Sequence, residues 1–426
     1  MKDFFDEIIG HEDVKKELMI ISDMLSNPQE YQRLGAAMNE GVVLSGKPGT
    51  GKTTMANCLI ESTGRKAYII RKKDPDGQFI KTIASVFEEA RKNAPSIVLL
   101  DDFDKFSDKD AEKCDAEEFV TVQSYIDESK EYDVFVIATV NDIRKIPDSL
   151  LRAGRLGKRL RIGLPKKDEA VEIIKHYLDK SGRCDDLDAK SIARILDGES
   201  CATLENVINN AAIKAAYNRQ EKVAMQDIVD SCLDLIFGSP EGTEELSAEA
   251  RKKVAYHEAG HAVVSELLDS GSVSLISIRK CHGDYGFVRY SRSDVNEDFS
   301  SEYNEKIIKA SLAGKATTEL VFGETDMGAN ADLHNAFKRA KHLIDNQCMF
   351  GFQSWIEDEN SVVAAENRNR AMAMLLEKNY LEVKKMLVEH RELLDRMAAE
   401  LVEKTTLLYS DVQRIISDAK SEISVV

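Results

Sequence analysis

The sequence predicts an α/β domain built on a parallel sheet, then a short all-helical segment, then a second, mainly α-helical domain. Three observations carry this. Between residues 40 and 165, short β-rich runs alternate with amphipathic stretches. The loop "GKPGTGKT" sits at the seam between one such run and a helical one. Much later, "VAYHEAGHAVVSELL" has helical character with no Lys or Arg to interrupt it.

Composition bounds the reading. A chain of 426 residues is long enough for two or three domains, each with its own core. A net charge of -17 argues against nucleic acid as the main partner, because a polyanion needs a basic face. Seven cysteines, an odd number without C-x-x-C spacing, fit a reduced, cytoplasmic compartment. The start "MKDFFDEIIG" is too acidic for a signal peptide, and no run of about 20 apolar residues is present, so no membrane segment is expected.

The elements follow in order. "GVVLSG", "KAYIIR", "SIVLLDD" and "VFVIATVN" are the expected strands of the sheet, and Pro165 closes a nucleotide-binding domain at 1–165. Residues 166–238 contain only helical patterns, including "DEAVEIIKHYLDK", "LENVINNAAIKAAYN" and "AMQDIVDSCLDLIF". "GSPEGTEEL", at 238–246, combines turn formers with acid and is the linker. The final domain, 239–426, is helical apart from a strand or hairpin region at "SVSLISIRKCHGDYGFVRY".

Residues 46 to 53 satisfy G-x-x-x-x-G-K-[ST] between a strand-like and a helical run. In that context Gly46, Lys47, Pro48, Gly49, Thr50 and Gly51 wrap the phosphates of ATP, with Thr54 behind them. Lys52 reaches the terminal phosphates, and Thr53 binds Mg²⁺. Asp101, at the end of a buried-strand pattern, is placed to hold Mg²⁺ through water, and Asp102 to orient the attacking water. Asn141, ending "VFVIATVN", is positioned to sense the terminal phosphate. "LLRAGRLGKRLRI" offers Arg152, Arg155, Lys158 and Arg159 as cations that could reach a neighbouring subunit's nucleotide.

Together these residues resemble the AAA+ ATPase module. "FDEIIGHEDVKKEL" is similar to its entry segment and "DGESCATLENVINNAA" to the turn and helix of its lid. The resemblance implies a hexameric ring with nucleotide between subunits, and places His176 near the adenine.

The segment "HEAGH" is HExxH. Four positions advance a helix by about 400°, so His257 and His261 share one face, one turn apart. Two imidazoles so placed suit one Zn²⁺, and Glu258 suits a general base acting on water. A third ligand is required. Leu267 stands where a metzincin has its third histidine, and no glutamate follows Glu266 within about twenty residues. Glu319, Asp332 and His334 remain as candidates.

"AYHEAGHAVV", "SLAGKATTELVFGE" and "GANADLHNAFKRAKHLI" occur in the same order as three segments of FtsH-type ATP-dependent zinc proteases, which this chain resembles over nearly its whole length. The resemblance implies a zinc peptidase domain at 239–426, Asp332 as the third zinc ligand, Glu319 as a supporting acid and His334 as peripheral. It also implies a homo-hexamer acting on unfolded or tagged protein substrates, with Zn²⁺, ATP and Mg²⁺ as cofactors.

Four departures set this chain apart. The family's two transmembrane helices do not precede the ATPase module. Asp102 replaces a glutamate, and Lys158 stands where a second finger arginine is expected. The aromatic pore loop is not recognisable in "RKKDPDGQFIKTIASVF", where Phe79 followed by Ile80 is the nearest substitute. The leading expectation is an ATP-dependent zinc metalloprotease that threads and cuts protein. The alternative is a nucleotide-gated zinc peptidase with a weak motor, in which ATP binding serves assembly.

Overall fold

The computed structural model describes residues 4–36, 40–72, 78–107, 116–181, 187–238, 246–281, 284–291, 300–324, 327–351 and 362–423. The chain divides into two compact units, Met1–Ile228 and Val229–Val426.

In the first unit, β1 (Gly41–Ser45), β2 (Lys66–Ile70), β3 (Ser96–Leu100), β4 (Val134–Val140) and β5 (Lys158–Arg161) form a parallel sheet in the order β2-β3-β4-β1-β5. Successive side chains of a strand face opposite ways, and the cores follow that rule. Val42, Leu44, Ile97 and Leu99 pack with Leu18 and Ile21 of α1 (Glu12–Ser26) and Leu59, while Val43, Val98 and Leu100 pack on the other face with Phe87 and Val122. The helix α2 (Pro28–Arg33) follows α1, and α3 (Lys52–Thr63) carries Leu59. On the other face, α4 (Phe79–Lys92) carries Phe87 and α5 (Glu117–Glu128) carries Val122. Covering on both faces is why β3 and β4 are buried at every position.

The strand β5 was not anticipated. Its sequence "KRLR" is cationic and only Leu160 is buried, as befits an edge strand defended by charge. Phe79, the nearest substitute for a pore-loop aromatic, is placed otherwise. It opens α4 and is buried edge-on to Phe106, ring centroids 4.8 Å apart, so it is a core residue and not a substrate-gripping ring. Residues 73–77 of that stretch lie outside the described residues.

Beyond Pro165 come α6 (Lys167–Ser181), α7 (Ala189–Ile195) and α8 (Cys201–Tyr217). The Asp188 carboxylate accepts from the N–H groups of Lys190 and Ser191, and Ser200 Oγ from that of Thr203, which satisfies the otherwise orphaned donors that open α7 and α8. The helix α9 (Met225–Phe237) contains the division between the units, and residues 239–245 of the expected linker lie outside the described residues.

The second unit is built on α10 (Ala248–Leu268), with β6 (Val273–Cys281), β7 (Asp284–Tyr290), α11 (Ser301–Phe322), α12 (Asn330–Gln347), α13 (Val362–Glu389), α14 (Arg391–Lys404), β8 (Thr406–Leu408) and α15 (Tyr409–Ile423). Its strands form an antiparallel sheet in the order β7-β6-β8. Ala255, Ala259 and Val263 of α10 pack with Ala313 and Ala316 of α11 and with Leu394, Met397 and Leu401 of α14. These small residues let α10 and α11 approach closely. A Cβ at Gly260 would collide with Thr317. Among the described residues no helix is long and apolar enough to cross a membrane.

Candidate active sites

The phosphate loop joins β1 to α3. Gly49 and Gly51 hold φ of 76° and 92°, a left-handed conformation that side chains resist, and at Gly46 a Cβ would run into the Ile162 carbonyl. Lys52 is buried at the start of α3, its Nζ donating to the carbonyls of Gly46 at 2.8 Å and Lys47 at 2.9 Å. Burial pulls its pKa down, opposed by Asp102, Asp104 and Asp101 nearby. Thr50 Oγ1 donates to the Lys47 carbonyl at 2.9 Å, stiffening the loop. Lys47, Pro48, Gly49, Thr53 and Thr54 are exposed.

Beside this loop, Asp101 directly follows β3 and is buried. Its Oδ1 accepts from Thr139 at 2.7 Å and Thr53 at 3.3 Å, and its Oδ2 from Arg71. Burial raises its pKa, but the bonds from Arg71 and Thr139 outweigh that and hold the carboxyl below its ordinary range. Asp102 sits in the left-handed region at φ 54°, bonded to Asn141 Nδ2 at 3.2 Å and to Lys105 Nζ at 2.9 Å. Asp104 accepts from the N–H of Asn141 at 3.0 Å, which fixes the end of β4. The sequence-predicted Lys52, Thr53, Asp101, Asp102 and Asn141 are thus brought together.

The remaining predicted residues are placed less centrally. Arg155 is bonded to Asp127 through Nε at 3.0 Å and Nη2 at 2.6 Å, and holds that carboxyl at about 2. Lys158 lies in β5 and pairs with Glu17 at 2.5 Å. Arg152 and His176 are exposed, His176 on α6.

In the second unit, α10 presents His257 and His261 one turn apart, buried with Glu258 between them. Asp332 comes from the first turn of α12. The three ligand atoms form a small triangle: His257 Nε2 to His261 Nε2 3.1 Å, His261 Nε2 to Asp332 Oδ2 3.1 Å, and His257 Nε2 to Asp332 Oδ2 3.3 Å. Ligands about 2.0–2.1 Å from a tetrahedral zinc stand about 3.3 Å apart, so the donors have the spacing of one tetrahedral face. His261 Nδ1 meets the Ala310 carbonyl at 2.7 Å, which turns Nε2 toward the centre. On α11, Gly314 faces both imidazoles, and a Cβ there would fill the space beside their Nε2 atoms. Donor set, spacing and cleared space all fit zinc.

Electrostatics follow from the burial. Asp332 is raised by burial, but the bonds from His257 and His261 hold it far below the ordinary carboxylate range. Burial pulls His261 down, but Asp332 more than offsets it, leaving the imidazole at about 9. Burial pushes Glu258 up to about 8, with His261 opposing the rise and Asp332 adding to it. At Gly286 of β7, φ is 80° and a Cβ would come within 2.5 Å of Glu258 Oε1, so this strand passes directly over Glu258. The two other third-ligand candidates lie elsewhere. Glu319 on α11 accepts from Lys384 at 2.9 Å, from Lys315 at 3.2 Å and from Tyr380, and His334 is exposed.

A family model described as "ATPase family associated with various cellular activities (AAA)" matches residues 42–164, and one described as "Peptidase family M41" matches residues 244–415. The chain is 30% identical over 456 aligned positions to an ATP-dependent zinc metalloprotease FtsH of Methylococcus capsulatus, covering 98% of this chain and 70% of that protein. The chain belongs to the FtsH family of ATP-dependent zinc metalloproteases. It is also 26% identical over 420 positions to FtsH 2 of Thermoanaerobacter, covering 96% of this chain and 82% of that protein. With FtsH of Thermus thermophilus the identity is 28% over 438 positions, covering 97% of this chain and 70% of that relative.

Four residues of this FtsH-family chain escaped the reading from sequence. Gly314 lay inside a quoted segment, yet a single glycine in a helical pattern does not say what it makes room for. Gly286, Arg71 and Thr139 reach their sites only through pairing between strands.

Proposed function

We propose that this FtsH-family chain hydrolyses peptide bonds at the His257, His261 and Asp332 centre and uses ATP at the Lys52 loop to deliver protein to it. The observation that carries the reading is the triangle of three ligand atoms with Glu258 alongside. His257, His261 and Asp332 hold the zinc, which when bound supplies Lewis acidity and makes water acidic enough to attack at neutral pH. The Glu258 carboxylate takes a proton from the attacking water and returns it to the leaving amine. An extended substrate pairs with β7, whose outer edge has no partner strand among the described residues, and so crosses Glu258 at Gly286. A cavity of about 290 Å³ beside His261 and Asp332, bounded by Leu268, Ile307, Tyr290 and Lys306, takes a substrate side chain.

In the first unit, Lys52 and Thr53 bind the phosphates and Mg²⁺ of ATP, Asp101 holds Mg²⁺, and Asp102 with Asn141 orients water. We keep 1–165, 166–238 and 239–426 as the nucleotide-binding, lid and peptidase divisions. The assembly is a homo-hexamer, with Arg152, Arg155 and Lys158 as finger candidates and His176 near the adenine, acting on unfolded or tagged protein. For Arg155 this role requires release from Asp127. The second reading, a nucleotide-gated peptidase with a weak motor, is favoured by Asp102, already bonded to Lys105 and shorter than a glutamate.

The test is degradation of a loosely folded protein by the zinc-loaded chain, with ATP and with a non-hydrolysable analogue at matched saturation. Cleavage that needs hydrolysis supports the coupled machine. Equal cleavage with both nucleotides supports the gated peptidase, and no cleavage with either overturns both.

A further inference from the structure

The strands β2 and β3 run parallel with Ile70 opposite Leu100, so the next residue of each, Arg71 and Asp101, emerge side by side at the same end of the sheet. The pairing is anchored by the Asp101 N–H donating to the Ile70 carbonyl at 2.9 Å. Arg71 donates through Nε at 2.9 Å and through Nη2, both to Asp101 Oδ2. The other oxygen, Oδ1, is taken by Thr139 and by Thr53, the hydroxyl assigned to Mg²⁺. Exposure is lopsided: the Asp101 side chain is 3% exposed and the Arg71 side chain 54%, so the guanidinium closes over a buried carboxylate from the solvent side.

We propose that Arg71 is a positioning residue of the nucleotide site that competes with Mg²⁺ for the Asp101 carboxylate, so that MgATP loads only when Mg²⁺ displaces the guanidinium. The proposal rests on the reading of Asp101 as the Mg²⁺ acid. A carboxylate whose charge is engaged by a forked guanidinium attracts a divalent ion less strongly, and the two cations repel each other. Arg71 is well suited to withdraw. It follows the last residue of an edge strand, is more than half exposed, and its departure opens no cavity in the core.

The experiment is binding of a fluorescent ATP analogue to the full chain, titrated with Mg²⁺ from an EDTA baseline, for wild type, Arg71→Ser, Arg71→Lys and Asp101→Asn. The expected result is that Arg71→Ser lowers the Mg²⁺ concentration for half-maximal binding by about fivefold, with affinity in EDTA altered less than about twofold. Arg71→Lys, which keeps the charge but not the fork, falls between. A Mg²⁺ midpoint unchanged in Arg71→Ser but raised in Asp101→Asn overturns the proposal and leaves Asp101 in its role. A midpoint unchanged in Asp101→Asn overturns the role of Asp101 itself. Weaker binding of Arg71→Ser in EDTA would make Arg71 a phosphate ligand, which also overturns the competition. Should Arg71→Ser not fold, Arg71→Lys decides alone, with a midpoint at or above wild type counting against the proposal.

Discussion

His261 Nε2 stands 3.1 Å from Asp332 Oδ2, and the two atoms belong to different helices, α10 and α12. The centre therefore depends on packing across α11 as much as on the HExxH spacing, and each of its supports can be tested apart.

Asp332→Ala is expected to reduce bound zinc from about one per chain to under a tenth, with helical circular dichroism unchanged. Glu319→Gln and His334→Ala are expected to keep the metal. Metal analysis after gel filtration decides, and zinc retained by Asp332→Ala would return the third ligand to those two residues.

Glu258→Gln is expected to keep zinc and ATPase activity while peptide hydrolysis falls by about 10²–10⁴-fold. The substitution preserves shape and removes the proton acceptor. Loss of zinc in this variant would make Glu258 a support of the metal site, not a base.

Gly314→Ala alters no ligand, yet its methyl would meet both imidazole Nε2 atoms. Overpacking of that kind costs about 1–3 kcal/mol, and here the imidazoles are the atoms pushed aside. Zinc affinity should drop at least about tenfold while Asp332 and both histidines remain, as read by competition with a chromophoric chelator. Unchanged affinity would show that α11 lies farther from the centre than the structure has it.

The acid limb of stability offers a pH test. Bonds from Tyr380, Lys384 and Lys315 hold Glu319 at about 2 in the folded unit, against an ordinary 4.5. A lowered carboxylate contributes stability that is fully present above pH 4.5 and is lost as pH falls towards 2. Urea midpoints measured across that window should fall less steeply for Glu319→Gln than for wild type. Parallel slopes would remove Glu319 from the acid response.

For the motor, Asp102→Glu with Lys158→Arg is expected to raise ATP turnover by about threefold or more if the weak-motor reading is right. An unchanged steady-state rate would sink that reading and leave the coupled machine.

How much was legible beforehand can be seen residue by residue. The phosphate loop and HExxH are local, since their spacing lies within one turn or one helix, so periodicity and glycine placement reveal them. The strands β1, β3 and β4 were visible because burial on both faces makes them apolar runs, and the edge strand β2 through the aromatic and β-branched residues of "KAYII", whereas β5 hides its register in "KRLR" and β8 spans only three residues. Asp332 could be singled out only through resemblance to known proteases, because nothing in the residues themselves ranked it above Glu319 or His334. The pore loop was not recognisable in the sequence, and Phe79, its nearest substitute there, is taken up by the core. The contacts of Arg71 and Gly286 arise between strands, where pairing register, not local pattern, decides who meets whom.

His261 and Asp332 are 71 residues apart in the chain, and a single ion bridging them would act as a fastener across that whole span. Closing a long loop removes freedom from the disordered chain, and an ion that binds only the closed form adds its own affinity to the folded state. The metal would then govern the lifetime of the enzyme as well as its reaction. In zinc scarcity that link between α10 and α12 would be missing, and the unit would keep its helices with a smaller margin of stability than the loaded form.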